Sequence, residues 1–376
     1  MKHHPVVFIL RKPAVLATAL GVVIAGCKKG EEAAAVEESA APAANEAAAP
    51  KPPPEVKVAL VKKWPDGGKV VFEKSVTIAR QPTGPNAIAS EQFRSTQYVA
   101  NFGDGPEESG EGRDGAMAGG PGGAAVSLAK VIPLQIVGQK LRNSVGGKPF
   151  VELDASMGMG GGEDERGGDD SGDPSAARPH PLATSVQSSL GATVSLTYDA
   201  AGAITKVDGL QQQVHAKVLR GVPRTMFALV GGMFSETVFR EAMMFHGPLT
   251  GAEIKPGDSW VSNEKGMLML NWQQDFSLTN TFTGMKDWNG QQVAEFQIAG
   301  VLSGTTEKPS PVTIAPGATF TGTALYSPGS GLLVEQVLNG AFVSQEGAGT
   351  AAVTVSNTFN RVFKVTNIAG PGEMQE

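Results

Sequence analysis

The residue whose chemistry stands out is Cys27, the single cysteine among 376 residues. An exported protein with one cysteine forms no internal disulfide, so its thiol needs another use. Lys2, Arg11 and Lys12 come first, and an apolar run over residues 15–25 follows them. A basic start, an apolar run of about a dozen residues and small residues before a cleavage point are typical of a secretory signal peptide. We therefore interpret residues 1–26 as a signal peptide.

The four residues Ile24, Ala25, Gly26 and Cys27 resemble the lipobox of bacterial lipoproteins. The resemblance implies cleavage before Cys27 and acylation of its thiol, with palmitate among the expected chains. Several acyl chains, at about 0.8 kcal/mol for each buried methylene, would give permanent membrane anchoring. Position 28 is Lys and not Asp, which in the sorting rule of well-studied lipoproteins indicates the outer membrane, facing the periplasm. The alternative is an ordinary signal or anchor helix that contains a cysteine.

A second candidate for chemistry is Ser259, within the segment Gly257-Asp258-Ser259-Trp260. The segment resembles the Gly-Asp-Ser nucleophile of some esterases, in which the serine opens the domain and a late histidine follows. Here the serine lies in the middle of the chain and no histidine follows His246. We therefore expect a turn that enters a strand, and a hydrolase is the third functional hypothesis.

The histidines and acidic residues predict no other reactive site. His180 falls in a predicted insert and His215 in a predicted strand. His246 falls at a predicted helix C-terminus, where it would interact favourably with the helix dipole. The acidic run 163–173 lacks the ligand spacing of a calcium loop. We expect no catalytic residue, no metal and no cofactor.

The charge of the chain disfavours nucleic acid as a partner. Loss of Lys2, Arg11 and Lys12 with the signal peptide leaves 28 of 31 basic side chains against 37 acidic ones, a formal net charge of −9. Nucleic-acid binding depends on clustered Lys and Arg. The membrane, reached through acylated Cys27, is the predicted partner, and an apolar ligand or lipid is the second.

Composition divides the chain into a tether and one domain. Residues 27–54 are rich in Ala, Glu and Pro and lack apolar periodicity, so they predict a disordered linker. Residues 55–366 contain the periodic apolar segments, and residues 367–376 form a tail. Two glycine-rich stretches, 103–125 and 156–183, predict disordered inserts within the domain.

Alternating apolar residues predict a mainly β domain. Turns rich in Gly, Asn and Asp separate alternating segments at 199–202, 287–290 and 327–331, which indicates β-hairpins. A further hairpin is predicted around the turn at 65–68. Long alternation with one polar face is typical of antiparallel sheets. We expect a curved antiparallel sheet or half-barrel.

The segment 223–246 predicts one or two buried helices. Its apolar residues follow helical spacing, Gly231-Gly232 would divide it, and Ser235 would cap the second part. A helix that is apolar nearly all round is buried on more than one side. Its methionines and phenylalanines suit a plain core or a lipid pocket. The residues predicted to line such a pocket are Phe227, Phe234, Met243 and Phe245.

The acylated cysteine, linker, long strands and Met/Phe-rich helix resemble half-barrel lipoproteins and lipoprotein carriers of the bacterial envelope. The turn and strand at residues 256–260, which follow the predicted helix, resemble the same arrangement in uncharacterised envelope lipoproteins. The resemblance implies a non-enzymatic module that binds an apolar ligand or lipid. The alternative hypothesis is a structural or assembly protein that acts through surface contacts.

Overall fold

The computed structural model describes residues 57–65, 67–85, 87–103, 129–157, 180–243, 249, 253–269, 272–303, 312–347 and 352–369. The predictions for the signal peptide, Cys27, the linker 27–54 and Phe245 lie outside these residues. The same holds for most of the two predicted inserts and of the tail. The last described strand reaches Ala369, three residues past the predicted domain end.

Within the described residues, thirteen strands form one antiparallel sheet. The order is β7-β6-β4-β3-β2-β15-β14-β13-β11-β10-β9, with β5 attached to β4 and β12 to β14, and β7 and β9 are its two ends. The strands are β1 (Val58–Ala59), β2 (Lys69–Pro82), β3 (Ser90–Asn101), β4 (Lys130–Val145), β5 (Lys148–Ser156), β6 (Thr193–Tyr198), β7 (Ile204–Asp208), β8 (Glu253–Ile254), β9 (Ser259–Met269), β10 (Trp272–Trp288), β11 (Gln291–Ser303), β12 (Val312–Ile314), β13 (Thr319–Ser327), β14 (Leu332–Glu346) and β15 (Val353–Ala369).

The sheet is strongly curved. Phe276 on β10 and Phe359 on β15 are four strands apart in the sheet, about 19 Å in a flat sheet with 4.8 Å between strands. Their ring centroids are nevertheless 6.5 Å apart. Phe320 on β13 lies between them, 5.2 Å from Phe276 and 5.7 Å from Phe359. We call the face that carries these rings the inner face. The prediction of a mainly β, curved antiparallel sheet is confirmed.

Short helices pack against the inner face. They are α1 (Pro181–Gln187), α2 (Ala216–Val218), α3 (Phe227–Met233) and α4 (Glu236–Ala242). A π-helical turn, Leu210–His215, precedes α2, and a 3-10 turn, Arg224–Met226, precedes α3. The ring of Phe239 on α4 meets that of Tyr98 on β3 edge-on at 6.4 Å. None of the described helices has the length and apolar character needed to cross a membrane.

Three sequence predictions need correction. β1 pairs with β8, through Val58↔Ile254, and not with β2, so the hairpin predicted at 65–68 does not form. The break between the two central helices falls at Phe234 and Ser235, after the predicted Gly231-Gly232. Ser235 is the N-cap residue of α4, but its side chain makes no capping hydrogen bond. His215 lies in the π-helical turn and not in a strand.

The hairpins with short, glycine-containing turns are confirmed. They join β6 to β7, β10 to β11 and β13 to β14. The β10–β11 turn contains Asn289 at φ 50° and Gly290 at φ 76°. Positive φ at both central residues is the geometry of the two-residue turn that matches strand twist. Local chemistry therefore fixes the register of this hairpin.

Candidate functional site

The most distinctive cluster on the inner face is a group of buried charges from three elements. Glu241 on α4 accepts from Lys74 of β2, with 2.6 Å between Nζ and Oε2. Its other oxygen, Oε1, accepts from Nη1 of Arg361 on β15 at 2.8 Å. Nη2 of Arg361 also donates to Oε1 of Gln336 on β14 at 3.1 Å. The side chains of Glu241 and Arg361 keep only 3 % and 4 % of their exposure, so these charges interact with little screening by water.

Burial dominates the electrostatics of this cluster. It lowers the pKa of Lys74 from 10.5 to about 8, although Glu241 acts in the opposite direction; Arg361 and Arg94 lower it further. Burial also lowers the pKa of Arg94 from its usual value. The cations therefore lose more hydration than the described carboxylate returns as attraction. The described cations that act on Lys74 are Arg361 and Arg94, and the described carboxylate is Glu241.

Arg94 on β3 is a third cation near Glu241. Its Nη1 donates to the carbonyl oxygen of Met233 at 2.6 Å, and its guanidinium lies over the ring of Phe234, 5.0 Å from the centroid. Its Nε and Nη2 atoms are buried and have no hydrogen-bond partner among the described residues. A buried donor without a partner costs about 1–3 kcal/mol. Arg94 can therefore accommodate another acceptor.

A small cavity opens beside Lys74. Its volume is about 10 Å³, near the minimum for one water molecule. Its lining mixes ionic, amide and apolar side chains: Lys74, Glu241, Gln336, Arg361, Leu333 and Phe363. The cavity can hold a single small acceptor against the ammonium and guanidinium groups. A larger ligand group would have to displace one of the side chains.

A second ion pair on the inner face differs in exposure. Arg80 of β2 binds Glu346 of β14, and their side chains keep 20 % and 24 % of their exposure. Ser344 Oγ donates to Glu346 at 3.2 Å. This pair is balanced and partly hydrated. It is therefore the matched comparison for the buried cluster around Glu241.

The predicted pocket residues occupy different environments. Phe234 and Met243 are buried, with 0 % and 2 % exposure, and belong to the main core cluster. Phe227 keeps 41 % of its exposure and lies outside that cluster. The fourth, Phe245, is outside the described residues. Two of the four residues are thus part of one packed core.

The side chains considered for catalysis are engaged in structural hydrogen bonds. Ser259, the first residue of β9, shares a 2.8 Å hydrogen bond with the hydroxyl of Thr281. Nε2 of His215 lies 2.9 Å from the carbonyl oxygen of Phe234. Nδ1 of His180 caps α1 by accepting from the backbone N–H of Leu182 at 3.2 Å. Neither Ser259 nor His215 hydrogen-bonds to a carboxylate of the described chain.

In the described ranges, no group of three or more His, Cys, Asp or Glu side chains converges closely enough to hold a metal ion. The acidic run 163–173 lies outside those ranges.

The charged cluster was not predicted, although the sequence contains a signal for it. Lys74 stands between Phe72 and Val76 in the inward phase of β2. Arg361 precedes Phe363 in the same phase of β15. A charged residue in the inward phase of an alternating strand needs a buried partner. That partner, on a helix more than 100 residues away, could not be identified from spacing.

No protein-family model matches the sequence, and a search of curated proteins finds no match.

Proposed function

We propose that the protein is a bacterial cell-envelope lipoprotein with a non-enzymatic binding module for an apolar ligand or a lipid. Acyl chains on Cys27 would anchor it, in the outer membrane and facing the periplasm. The observation that carries the proposal is the composition of the inner face. A curved sheet presents aromatic rings there, together with the few buried charges around Glu241.

This composition suits a site for an amphiphilic molecule. Sites for small molecules are concave and mostly apolar, and a few convergent polar groups orient the ligand. The inner face contains Phe276, Phe320 and Phe359 in mutual contact. Arg361 lies next to them, with its guanidinium 5.6 Å from the ring centroid of Phe276. These rings are buried in the structure; if they were opened to a ligand, they would hold its chain and the charges would set its orientation.

The anchor and the ligand are tested separately. Growth with an alkyne-labelled palmitate should label the protein, and Cys27→Ser should abolish the label and the membrane attachment. Mass spectrometry of material extracted from the gently purified native protein should find a stoichiometric lipid. A label that persists in Cys27→Ser would refute the anchor, and protein that carries no ligand would refute the binding module.

A second candidate is a structural or assembly protein. Two observations favour it: Phe234 and Met243 are already buried by the protein's own core, and β9 ends the sheet with Val261 61 % exposed. An end strand with exposed apolar residues can pair with another chain. Crosslinking in cells from position 261 should then capture a protein. Capture of lipid alone would exclude this candidate.

A further inference from the structure

We infer that the ligand is an acidic amphiphile, whose carboxylate or phosphate group binds Lys74, Arg94 and Arg361 at the position that the Glu241 side chain holds in this structure. We call these three residues the cationic triad. The inference rests on the proposed binding function and adds the charge of the ligand and the route by which it enters. Glu241 would be a resident competitor, so α4 would close the site when no ligand is bound.

The hydrogen-bond donors of the triad favour an anionic ligand. The triad comes from three adjacent strands, β3, β2 and β15, and the described residues place one carboxylate, Glu241, against it. Lys74 has three donor hydrogens, and one of them meets Glu241. Arg94 has two buried nitrogens without a described partner. An anion would satisfy these donors best, because hydrogen bonds to a charged acceptor are stronger than those to a neutral one.

The residues of the triad lie close together on one face of the sheet. Val76 pairs with Arg361 on one side and with Arg94 on the other. The two arginines therefore flank one apolar residue, with backbones about 10 Å apart across two strand spacings. Side chains of this length can converge on one head group above Val76. Lys74 lies two residues along β2, on the same face.

Aromatic rings cover the guanidinium faces of the two arginines. The ring of Phe234 lies against Arg94 at 5.0 Å, and that of Phe276 lies against Arg361 at 5.6 Å. Aromatic rings that stack on a guanidinium leave the N–H donors at its edge free to bind in the plane. Such edges bind carboxylate and phosphate oxygens in pairs.

Glu241 belongs to α4, a helix of only seven residues. Such a helix has few internal hydrogen bonds and is held mainly by the packing of its buried face, here Phe239 and Ala242, so a ligand that displaces α4 must also replace that packing. An acidic head group at the triad would replace the lost interaction with Glu241. A neutral head group would leave Lys74 and Arg361 without compensation, so the site would discriminate by charge.

The test compares three probes on the full chain, by native mass spectrometry after release from detergent. Oleate is the acidic amphiphile, oleyl alcohol is the neutral one, and acetate is an acid without the chain. We expect oleate to bind about tenfold more tightly than oleyl alcohol. In Glu241→Gln that preference should rise about tenfold further, because the competing charge is gone while the side-chain shape remains.

Two further variants and one control locate the effect. Arg94→Met should lower the preference for oleate about tenfold. Arg94→Lys keeps the charge but loses paired hydrogen bonding, so this variant should fold and should bind oleate more weakly than the natural chain does. Glu346→Gln, in the other inner-face ion pair, should leave the preference unchanged. A denaturation curve for each variant confirms that it is folded.

The outcomes separate the inference from the proposed function. Equal binding of oleate and oleyl alcohol, in the natural chain and in Glu241→Gln, would overturn the acidic specificity and leave the binding module intact. Acetate binding without a preference for oleate would reduce the triad to a simple anion site and overturn the inference. Failure of every probe in every variant would overturn both proposals.

Discussion

Nζ of Lys74 lies 2.6 Å from Oε2 of Glu241, and the two side chains keep only 10 % and 3 % of their exposure. The pair is close, yet burial lowers the pKa of Lys74 to about 8, because the loss of hydration outweighs the attraction of Glu241. The charged lysine is therefore held at a cost to folding stability. That cost depends on pH and can be measured.

The free energy of unfolding should rise as pH increases from 8 towards 10. In this range folded Lys74 has lost its proton, whereas the unfolded chain, with a lysine pKa of 10.5, still binds it. Stability rises with pH wherever the unfolded state binds more protons. At about 1.4 kcal/mol for each pKa unit, the full effect is on the order of 3 kcal/mol. Urea denaturation at several pH values measures it.

Lys74→Met should abolish this rise, and Lys140→Met, at a position where the lysine side chain is 54 % exposed, should preserve it. Measurements should stop near pH 10, because burial raises the pKa of Tyr326 to about 12 and the sign of the pH dependence then reverses. A rise that survives in Lys74→Met would show that another group causes it.

Glu241→Gln should destabilise the protein by about 3 kcal/mol, because it leaves buried Lys74 and Arg361 without their counter-charge. Glu346→Gln should cost about 1 kcal/mol or less, since the partner Arg80 is partly hydrated. Chemical denaturation of both variants at pH 7 compares them. If the two variants lost the same free energy of unfolding, the burial of the ion pairs around Glu241 would have no energetic consequence.

Gly322→Ala should destabilise the protein strongly, by more than about 2 kcal/mol. A Cβ at position 322 would lie 1.9 Å from the carbonyl oxygen of Val337, so β13 and β14 would have to separate. Gly231→Ala is the matched control, because its Cβ would meet nothing within 4 Å. Since alanine favours a helix interior, this variant should gain about 0.5–1 kcal/mol. Thermal unfolding of both variants should show shifts of opposite sign.

Phe234→Ala should cost about 3–5 kcal/mol, because it removes a fully buried ring from the core. It should also remove the ring that covers the guanidinium of Arg94. Phe227→Ala should cost less than about 1 kcal/mol, since 41 % of that residue remains exposed. Denaturation curves decide between a core role and a surface role. Equal costs would contradict this division of the two phenylalanines.

The parts of the fold that sequence could predict are local. The Asn289-Gly290 turn has a single favoured geometry, so its hairpin follows from two residues and the alternation around them. The pairing of β1 with β8 depends on residues nearly 200 positions apart, and no local pattern specifies it. Alternation near 65–68 instead suggested a hairpin. Helix α1 was missed because its start lies in the stretch 156–183 that was predicted to be an insert, and α2 was missed because three residues are too few to show a 3.6-residue period.

The candidate site shows the same division. Helical spacing identified the buried segment that carries Phe234 and Met243, and both are in the core. The charged cluster combines Lys74, Glu241 and Arg361 from three distant segments. Its geometry exists only after the sheet has curled and α4 has docked. The sequence shows that Lys74 and Arg361 are charged residues in inward positions, but it does not show that they lie close together in the fold.

The pairing of β2 with β15 has a consequence for how the chain reaches its native state. β2 is the first strand of the sheet in sequence and β15 the last, and they form one ladder from Lys69↔Ala369 to Pro82↔Val355. Contacts between such distant segments slow folding, because a long loop must close before they form. One edge of β2 therefore stays open until β15 has been synthesised. During biogenesis that edge is the place where a chaperone would need to bind to prevent aggregation.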